Sequence, residues 1–206
     1  DGAAPASIYG RVKRDAEQAA VGFADRVPTT IVRPPMVFGE GDTSVLKIYR
    51  SALRGLHVVP TLRTSRVSLV HAADLAQALV AALRTGERVT PGAPAGQGVY
   101  YVAADETPTY GELGRWIGES LGRARVRVVR LPRGVTFAAA AMSEAVGRLK
   151  DTPRVLNLDK YREATAGDWT CDAGKARAQL GFAPAPLTDR LAQTALWYRA
   201  QGWLPA

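Results

Sequence analysis

Hydrophobic side chains recur at changing intervals along the chain, and each interval predicts an element. Residues 7–24 lack proline and place apolar or small side chains one helical turn apart, which predicts a helix that ends within 25–28. The members of this face are Ile8, Val12, Ala16, Ala19, Ala20 and Phe23. The β-branched run 29–33 predicts a short strand, which Pro34 and Pro35 stop because proline cannot donate to a strand ladder.

The middle of the chain continues to alternate between helical and strand patterns. It predicts, in chain order, a helix over 44–53 before Gly55, a strand over 67–71, a helix over 73–83 closed by Gly86, a loop over 89–98 and a strand over 99–102. Thr109-Tyr-Gly-Glu112 matches a capping box, in which the threonine hydroxyl and the glutamate side chain each bind a free backbone amide. This box predicts a helix that runs to Leu121 and ends at Gly122.

The last third of the chain is predicted to be mostly helical after one strand. Residues 123–130 alternate arginine with apolar side chains, which predicts a strand with one solvated face and one buried face. Further predictions are an alanine-rich helix from Pro132 to about Lys150, a short helix capped by Asp172 and ended by Gly181, and a last helix over 189–201 capped by Thr188, with Leu191, Ala195 and Tyr198 on one side. Because strands and helices alternate throughout, the predicted fold class is α/β with a partly parallel sheet.

Composition narrows the class of protein. With 206 residues, 47% of them hydrophobic and 22% charged, the chain is neither disordered nor collagen-like nor a coiled coil. The longest apolar stretch, 135–142, is too short to span a bilayer. The single cysteine, Cys171, excludes an intramolecular disulfide and a cysteine-based zinc site, and it fits a reducing compartment such as the cytoplasm. Since the sequence starts at Asp1 and shows no signal-peptide pattern, we expect a piece of a longer protein.

The net charge of +8 raises the question of a nucleic-acid partner. The basic residues are scattered, and the densest run, 123–130, has no interleaved aromatic side chains on which bases could stack. A solvated edge strand explains this run better than a phosphate-binding stripe. We therefore expect a small-molecule substrate and no nucleic acid.

Tyr9 and Lys13 are the residues whose spacing most favours catalysis. They are four residues apart on a predicted helix, so their side chains lie on one face, one turn from each other. An ammonium group near a phenol stabilises the phenolate form, which is what a general acid/base needs. By itself the pair is a weak signal, because any helix of this composition can contain it by chance.

Three motifs strengthen that signal, and they resemble one known family. They are Pro5-x-x-x-Tyr9-Gly-x-x-Lys13-x-x-x-Glu17, Arg33-Pro34-Pro-Met36-Val-Phe38-Gly39-x-Gly41-Asp42 and Val70-His71-x-x-Asp74-Leu-Ala76. In this order and spacing the chain resembles the extended short-chain dehydrogenase/reductases, the NAD-dependent epimerase/dehydratase family. The resemblance covers essentially the whole chain, down to Trp197-Tyr198-Arg199-x-x-Gly202.

The resemblance implies roles for particular residues. In this family the tyrosine is the catalytic acid/base, and the lysine both tunes it and holds the nicotinamide ribose, which implies these roles for Tyr9 and Lys13. The segment after the next strand passes its backbone beside the nicotinamide, which implies that Pro34, Met36 and Val37 contact the cofactor, NAD or NADP. The resemblance also implies a homodimer formed through the Tyr9/Lys13 helix. No metal site is expected.

The resemblance further implies a division into domains. Residues 1–39 correspond to the end of a nucleotide-binding domain with a Rossmann-like parallel sheet, and 40–206 mainly to a smaller substrate-binding domain, with 67–103 returning to the nucleotide-binding sheet. The family's glycine-rich turn, which cradles the pyrophosphate, is absent from this sequence. We therefore expect the chain to be the second half of an enzyme, to bind NAD(P) weakly by itself and to expose apolar surface.

Departures from the family pattern bear on the substrate. Members that act on nucleotide sugars often have asparagine three residues after the arginine corresponding to Arg33, and arginine four residues before the histidine corresponding to His71. Here these positions are Met36 and Val67, which offer no donor to a diphosphate. Arg66 instead resembles the arrangement in the 3β-hydroxysteroid dehydrogenase-like and dihydroflavonol-reductase-like branches. We expect NAD(P)-dependent interconversion of a hydroxyl and a ketone on a mostly apolar molecule, with Met36 and Arg66 beside it.

Two alternatives stay open at this point. Arg66 is long enough to replace the missing arginine, which would leave a nucleotide-sugar epimerase or dehydratase. A non-catalytic or inactive truncated member of the family would keep the same fold motifs. Of the remaining polar residues, His71 is expected to be structural, His57 to lie on the surface, Asp74 to cap a helix, and Cys171 to lie in a short strand as a small buried side chain.

Overall fold

The computed structural model describes residues 7–90, 92, 94–149 and 158–205, in which helices and strands alternate. In chain order the elements are α1 (Ile8–Val21), β1 (Ile31–Arg33), β2 (Met36–Phe38), α2 (Thr43–Leu53), β3 (Leu56–Val59), β4 (Leu69–His71), α3 (Ala72–Thr85), β5 (Val99–Tyr101), α4 (Tyr110–Ser120), β6 (Arg127–Arg130), α5 (Arg133–Leu149), α6 (Leu158–Thr165), α7 (Gly174–Leu180) and α8 (Leu187–Ala200). The predicted end of α5 at Lys150 lies outside the described residues.

The strands form three parallel pairs that join distant parts of the chain. β1 pairs with β5, β2 with β4, and β3 with β6. Parallel partners need a long crossover between them, and here each crossover contains at least one helix. The predicted α/β class is therefore confirmed.

Two clusters of buried side chains hold these elements together. The first lies between α2, α4 and α8, where the Tyr49 and Tyr198 rings meet edge to face at 5.2 Å and the Tyr49 hydroxyl donates to the Leu191 carbonyl at 2.8 Å. Burial raises the pKa of Tyr198 to about 12, so this phenol stays neutral in the core. The second cluster lies between β4, β5, α3 and α7, and it includes Val70, Tyr100 and Phe182.

Local sequence signals predicted α4 well. The Thr109 hydroxyl accepts from the Glu112 amide at 3.2 Å, and the Thr109 amide donates to the Glu112 carboxylate at 2.8 Å. The capping box is therefore confirmed. The strand predicted over 123–130 is present only in part: it spans Arg127–Arg130, where exposed Arg127 and Arg130 flank half-buried Val128 and Val129, so the expected alternation of a solvated and a buried face is not seen.

Several predicted details are wrong. Thr188 lies inside α8 and does not cap it, because the helix begins after Pro186 and the Leu187 amide donates to the distant Glu106 carboxylate at 3.1 Å. The strand predicted over 67–71 begins only at Leu69. Strands β2 and β3 were not predicted, since each has only three or four residues and needs a partner from far along the chain.

His57 was expected on the surface, and this expectation is wrong. β3 alternates between exposed and buried positions, so His57 and Val59 face inward. Burial lowers the pKa of His57, so the neutral imidazole is favoured in the folded protein. Its ring lies against Gly114 of α4, where an added Cβ would come within 2.3 Å of the imidazole.

Replacing Gly114 with alanine is expected to destabilise the protein. The new methyl group overlaps the His57 ring, and overpacking of this kind costs about 1–3 kcal/mol, against a gain in helix propensity of up to about 1 kcal/mol. Gly134→Ala in α5 is the matched control, because no atom of the described residues lies within 4 Å of its added Cβ. Urea unfolding of both variants checks the prediction. Equal or greater stability of Gly114→Ala would contradict the close packing of α4 on β3.

Candidate active site

The first turn of α1 carries Tyr9 and holds it at the surface. Ser7 caps the helix, and its hydroxyl accepts from the Gly10 amide at 3.0 Å. The Tyr9 side chain is 58% exposed, and the Lys13 ammonium lies 5.7 Å from the centre of its ring. The helical spacing therefore brings the two side chains together as the sequence predicts.

A second lysine lies over the same ring. The Lys160 ammonium, at the start of α6, is 5.5 Å from the Tyr9 ring centre and pairs with Glu163 at 2.6 Å. The preceding residue, Asp159, accepts from the Ile8 amide at 2.9 Å and from the Tyr9 amide at 3.4 Å. Sequence reasoning missed both residues, because about 150 positions separate them from α1 and no local pattern marks the contact.

Asp159 supplies acceptors that the free amides of α1 need. The hydrogen bond from Ile8 is the main cause that lowers the pKa of Asp159, so the carboxylate is charged at neutral pH. A carboxylate at a helix N-terminus also interacts favourably with the helix dipole. The backbone that carries Tyr9 is therefore fixed by α6.

Arg33 anchors α1 near its other end. Its Nε and Nη2 donate to the two carboxylate oxygens of Glu17 at 2.9 and 2.5 Å, and its Nη1 donates to the Tyr101 hydroxyl at 2.7 Å. The hydrogen bond to Glu17 is the main cause that raises the pKa of Arg33. This bidentate pair ties α1 to the last residue of β1, directly before the Pro34–Val37 segment.

The segment predicted to pass beside the nicotinamide is largely accessible. Pro34 and Val37 are exposed, Met36 is half-buried against the first core cluster, and Phe38 is buried. β2 begins at Met36, so the backbone from this residue onward is fixed by pairing with β4. The role of this segment in cofactor binding stays a prediction.

His71 and Asp74 make the polar contacts at the start of α3. The His71 Nδ1 accepts from the Ala73 amide at 3.2 Å, and its Nε2 lies 3.2 Å from the Glu40 carboxylate. His71 thus caps α3, whereas Asp74 was expected to do so; the buried Asp74 instead forms a bidentate pair with Arg190 of α8. Desolvation lowers the pKa of His71, which favours the neutral ring. The structural interpretation of His71 is confirmed.

Arg66 and Val67 contact other parts of the protein than Tyr9 does. The Arg66 guanidinium is exposed and donates to the Thr107 carbonyl at 3.0 Å. Among the described residues, no hydrogen bond or ion pair joins Arg66 to Tyr9 or Lys13. Val67 is buried in the first core cluster, so its side chain supplies no substrate surface.

The contacts of Cys171 differ from the expectation in one respect. Its backbone lies outside any strand, although its amide donates to the Ser68 hydroxyl at 3.1 Å. The side chain packs half-buried against the second core cluster, and burial raises the pKa of the thiol. These features favour an inert packing residue over a reactive thiolate.

The chemistry of this surface suits proton transfer. An exposed phenol beside an ammonium group can donate or accept a proton, and the two groups together could donate hydrogen bonds to ribose hydroxyls. Within the described residues, no cluster of three or more metal-ligating side chains occurs, and no helix is long and apolar enough to cross a membrane.

The surface of α1 also bears on the expected homodimer. Ile8 and Val12 are both more than half exposed, and no residue of α1 is buried. The apolar face that the sequence predicts for α1 is therefore present, and it is exposed to solvent. Pairing of two copies through this helix stays a prediction.

Comparison with known proteins finds a matching family model and a curated relative. The sequence model of the 3-beta hydroxysteroid dehydrogenase/isomerase family matches residues 3–133. A curated relative, the ceramide reductase of Caulobacter vibrioides (strain NA1000 / CB15N), is 36% identical over 97% of this chain. The match covers 59% of that protein, so the chain spans about three fifths of its length.

Solved structures show the same fold at lower identity. The UDP-glucose 4-epimerase of Thermotoga maritima, solved with UDP-glucose, superposes with a TM-score of 0.64 at 19% identity, over 94% of this chain and 53% of that one. The dTDP-glucose 4,6-dehydratase of Bacillus anthracis, in complex with NAD, gives a TM-score of 0.65 at 16% identity, over 96% and 53% of the two chains. The resemblance to the extended short-chain dehydrogenase/reductase fold is confirmed.

Proposed function

Because the chain belongs to the 3-beta hydroxysteroid dehydrogenase/isomerase family, we propose that it carries the catalytic pair of an NAD(P)-dependent oxidoreductase that interconverts a hydroxyl and a ketone on an apolar molecule. One observation carries the proposal. The exposed Tyr9 ring and the Lys13 ammonium, 5.7 Å from its centre, share one face of α1.

In this proposal Tyr9 moves the proton. During reduction its hydroxyl donates a proton to the carbonyl oxygen of the substrate, and during oxidation its phenolate accepts one from the substrate hydroxyl. A positioned acid/base of this kind contributes about 10²–10⁴-fold to the rate. NAD(P), when bound, supplies or accepts the hydride.

Lys13 stabilises the negative charge on the phenolate and holds the cofactor. Its ammonium has three donors, enough to bind ribose hydroxyls while it remains near Tyr9. Pro34, Met36 and Val37 form the surface against which the nicotinamide lies in this proposal. The Arg33–Glu17 pair supports this arrangement, because it connects α1 to the residue before Pro34.

The α6 residues complete the surroundings of Tyr9. Asp159 fixes the backbone amides at the start of α1, and Lys160 brings a second positive charge near the ring. In this proposal α6 forms one wall of the substrate site.

The proposed substrate is lipid-like. Met36 offers a thioether surface at the start of β2. A nucleotide diphosphate would need charged donors, and each one missing costs about 1.5–3 kcal/mol of binding. The curated relative is a ceramide reductase, which supports a long-chain carbonyl compound as the substrate class.

The full-length protein is expected to use long-chain ketones and secondary alcohols in preference to UDP- or dTDP-sugars. An apolar chain gains about 25 cal/mol per Å² of buried surface and needs no phosphate donors. A panel of both substrate classes, assayed by NAD(P)H absorbance and by product analysis, checks this. Epimerisation or dehydration of a nucleotide sugar that is lost in Arg66→Ala would overturn the proposal and support the alternative in which Arg66 binds a phosphate.

A further inference from the structure

A cleft of about 350 Å³ lies between the end of α4 and the segment that leads into β6. Val126 packs so closely on Gly118 of α4 that a Cβ added to this glycine would overlap the valine methyl group. Val126 is half-buried against the first core cluster, whereas its neighbours Arg125 and Arg127 are exposed. The packing of Val126 therefore fixes the backbone that presents these arginines to the cleft.

Arginine side chains line the cleft from both sides. Exposed Arg115 comes from α4, and exposed Arg123, Arg125 and Arg127 come from the opposite segment. Among the described lining residues one is a carboxylate, Glu119, which lies one helical turn after Arg115. Within the described part of the chain, none of the four guanidinium groups forms a salt bridge or a side-chain hydrogen bond. Four cations that face one cleft repel each other, and a bound anion relieves that repulsion.

The cleft lies at the opposite end of the β3–β6 pair from the candidate active site. Arg127 is the first residue of β6, and it pairs with the first residue of β3. At its other end β6 leads into α5, where Arg133 donates to the Thr165 carbonyl of α6 at 3.0 Å, and the start of α6 contacts Tyr9. Arg66 likewise follows the last residue of β3 along the chain. The cleft is therefore separate from the proposed substrate site.

We propose that this cleft binds a small diphosphate anion, with Arg115 on one side and Arg125 and Arg127 on the other. A guanidinium group is planar, stays charged at physiological pH and donates in pairs to phosphate oxygens. Donors on two facing walls suit two linked phosphate groups better than a single one. The proposal goes beyond the proposed function and does not depend on it.

The end of α4 does not oppose an anion in the cleft. The carbonyls at a helix C-terminus carry partial negative charge when they lack partners. Here the Gly118 carbonyl accepts from the Arg123 amide at 2.9 Å, and the Leu121 carbonyl accepts from the Arg199 guanidinium at 3.0 Å. The bonded carbonyls leave the arginines as the dominant charges.

A nucleic acid fits the cleft less well than a small anion does. Among the described residues that line the cleft, none is aromatic, so bases would have nothing to stack on. The sequence predicted a solvated edge strand over 123–130. Because the strand begins only at Arg127, Arg123 and Arg125 instead form one wall of a cleft.

Calorimetric titration of the full-length protein with inorganic diphosphate, at low ionic strength, tests the proposal. Saturating NAD(P) is present, so that the diphosphate does not occupy the cofactor's own site. One diphosphate is expected to bind per chain. Arg115→Gln and Arg125→Gln are each expected to weaken the affinity about tenfold, because each removes a charged donor. Glu119→Gln is expected to strengthen it by about threefold, because it removes a charge of the same sign as the ligand.

The matched control is Arg130→Gln. Arg130 is exposed in the same arginine run, but it does not line the cleft, so its replacement should change the affinity by less than about twofold. Thermal unfolding confirms that each variant is folded. Failure of the wild type to bind millimolar diphosphate would overturn the proposal, and so would an equal loss in Arg130→Gln and Arg125→Gln.

A second titration, with a single-stranded RNA, distinguishes a cleft for a small anion from a nucleic-acid surface. If the RNA bound more tightly than diphosphate and Arg130→Gln weakened it as much as Arg125→Gln, the arginine run would be a nucleic-acid surface and the proposal would be wrong. Diphosphate binding is measured without substrate. A protein that reduces no ketone but binds diphosphate in this way would therefore refute the proposed function alone.

Discussion

Replacing Tyr9 with phenylalanine is expected to lower turnover of the full-length protein by at least about 100-fold. The substitution removes the exchangeable proton and keeps the ring near Lys13 and Lys160. The Tyr9 hydroxyl makes no hydrogen bond to a described residue, so its loss should leave the fold and the melting temperature unchanged. Steady-state kinetics and thermal unfolding, measured side by side, check both parts of this prediction.

A control variant distinguishes the effect of removing any tyrosine hydroxyl in this region from the effect of removing the reacting hydroxyl. Tyr161→Phe removes a phenol from α6, the helix that contacts Tyr9, and it should keep the wild-type rate. If Tyr9→Phe also retained most of the wild-type rate, the assignment of the acid/base to Tyr9 would be wrong.

Lys13→Met is expected to impair both turnover and cofactor affinity. The methionine keeps a stem of similar length and removes the ammonium group, which is proposed to stabilise the phenolate and to bind the ribose. Loss of a charged hydrogen bond costs about 1.5–3 kcal/mol, which corresponds to roughly 10- to 100-fold in the Kd for NAD(P). Titration of the protein with NAD(P) and measurement of kcat give the two effects separately.

The control for Lys13→Met lies on the same helix. Arg14 is exposed on α1, so Arg14→Met removes a charge of the same sign at a neighbouring position. Unchanged NAD(P) affinity in Lys13→Met, or an equal loss in Arg14→Met, would show that Lys13 does not hold the cofactor.

Features that depend on nearby residues could be predicted from the sequence. The capping box of α4 involves Thr109 and Glu112 only, and the Tyr9–Lys13 pair needs only one helical turn. In these cases a pattern of a few residues contains the whole interaction.

Features that depend on contacts between distant residues could not be predicted from the sequence. The contact of Asp159 with α1 joins positions about 150 residues apart in the sequence. Likewise, the Leu187 amide at the start of α8 donates to the distant Glu106 carboxylate. His57 is buried because Gly114 leaves room for its ring, which no pattern around His57 reveals. The apolar spacing of α1 predicts a helix, but it does not reveal that Val12 is exposed, because exposure depends on which parts of the fold pack against the helix.

The transfer of deuterium from reduced cofactor to substrate distinguishes a Tyr9-dependent ketone reductase from a nucleotide-sugar epimerase. The full-length protein would be incubated with NAD(P)H deuterated at the transferred position and with a long-chain ketone, and the alcohol analysed by mass spectrometry. We predict one deuterium on the carbinol carbon in the wild type and at least about 100-fold slower labelling in Tyr9→Phe. An unlabelled ketone, recovered unchanged while a nucleotide sugar is epimerised under the same conditions, would contradict it.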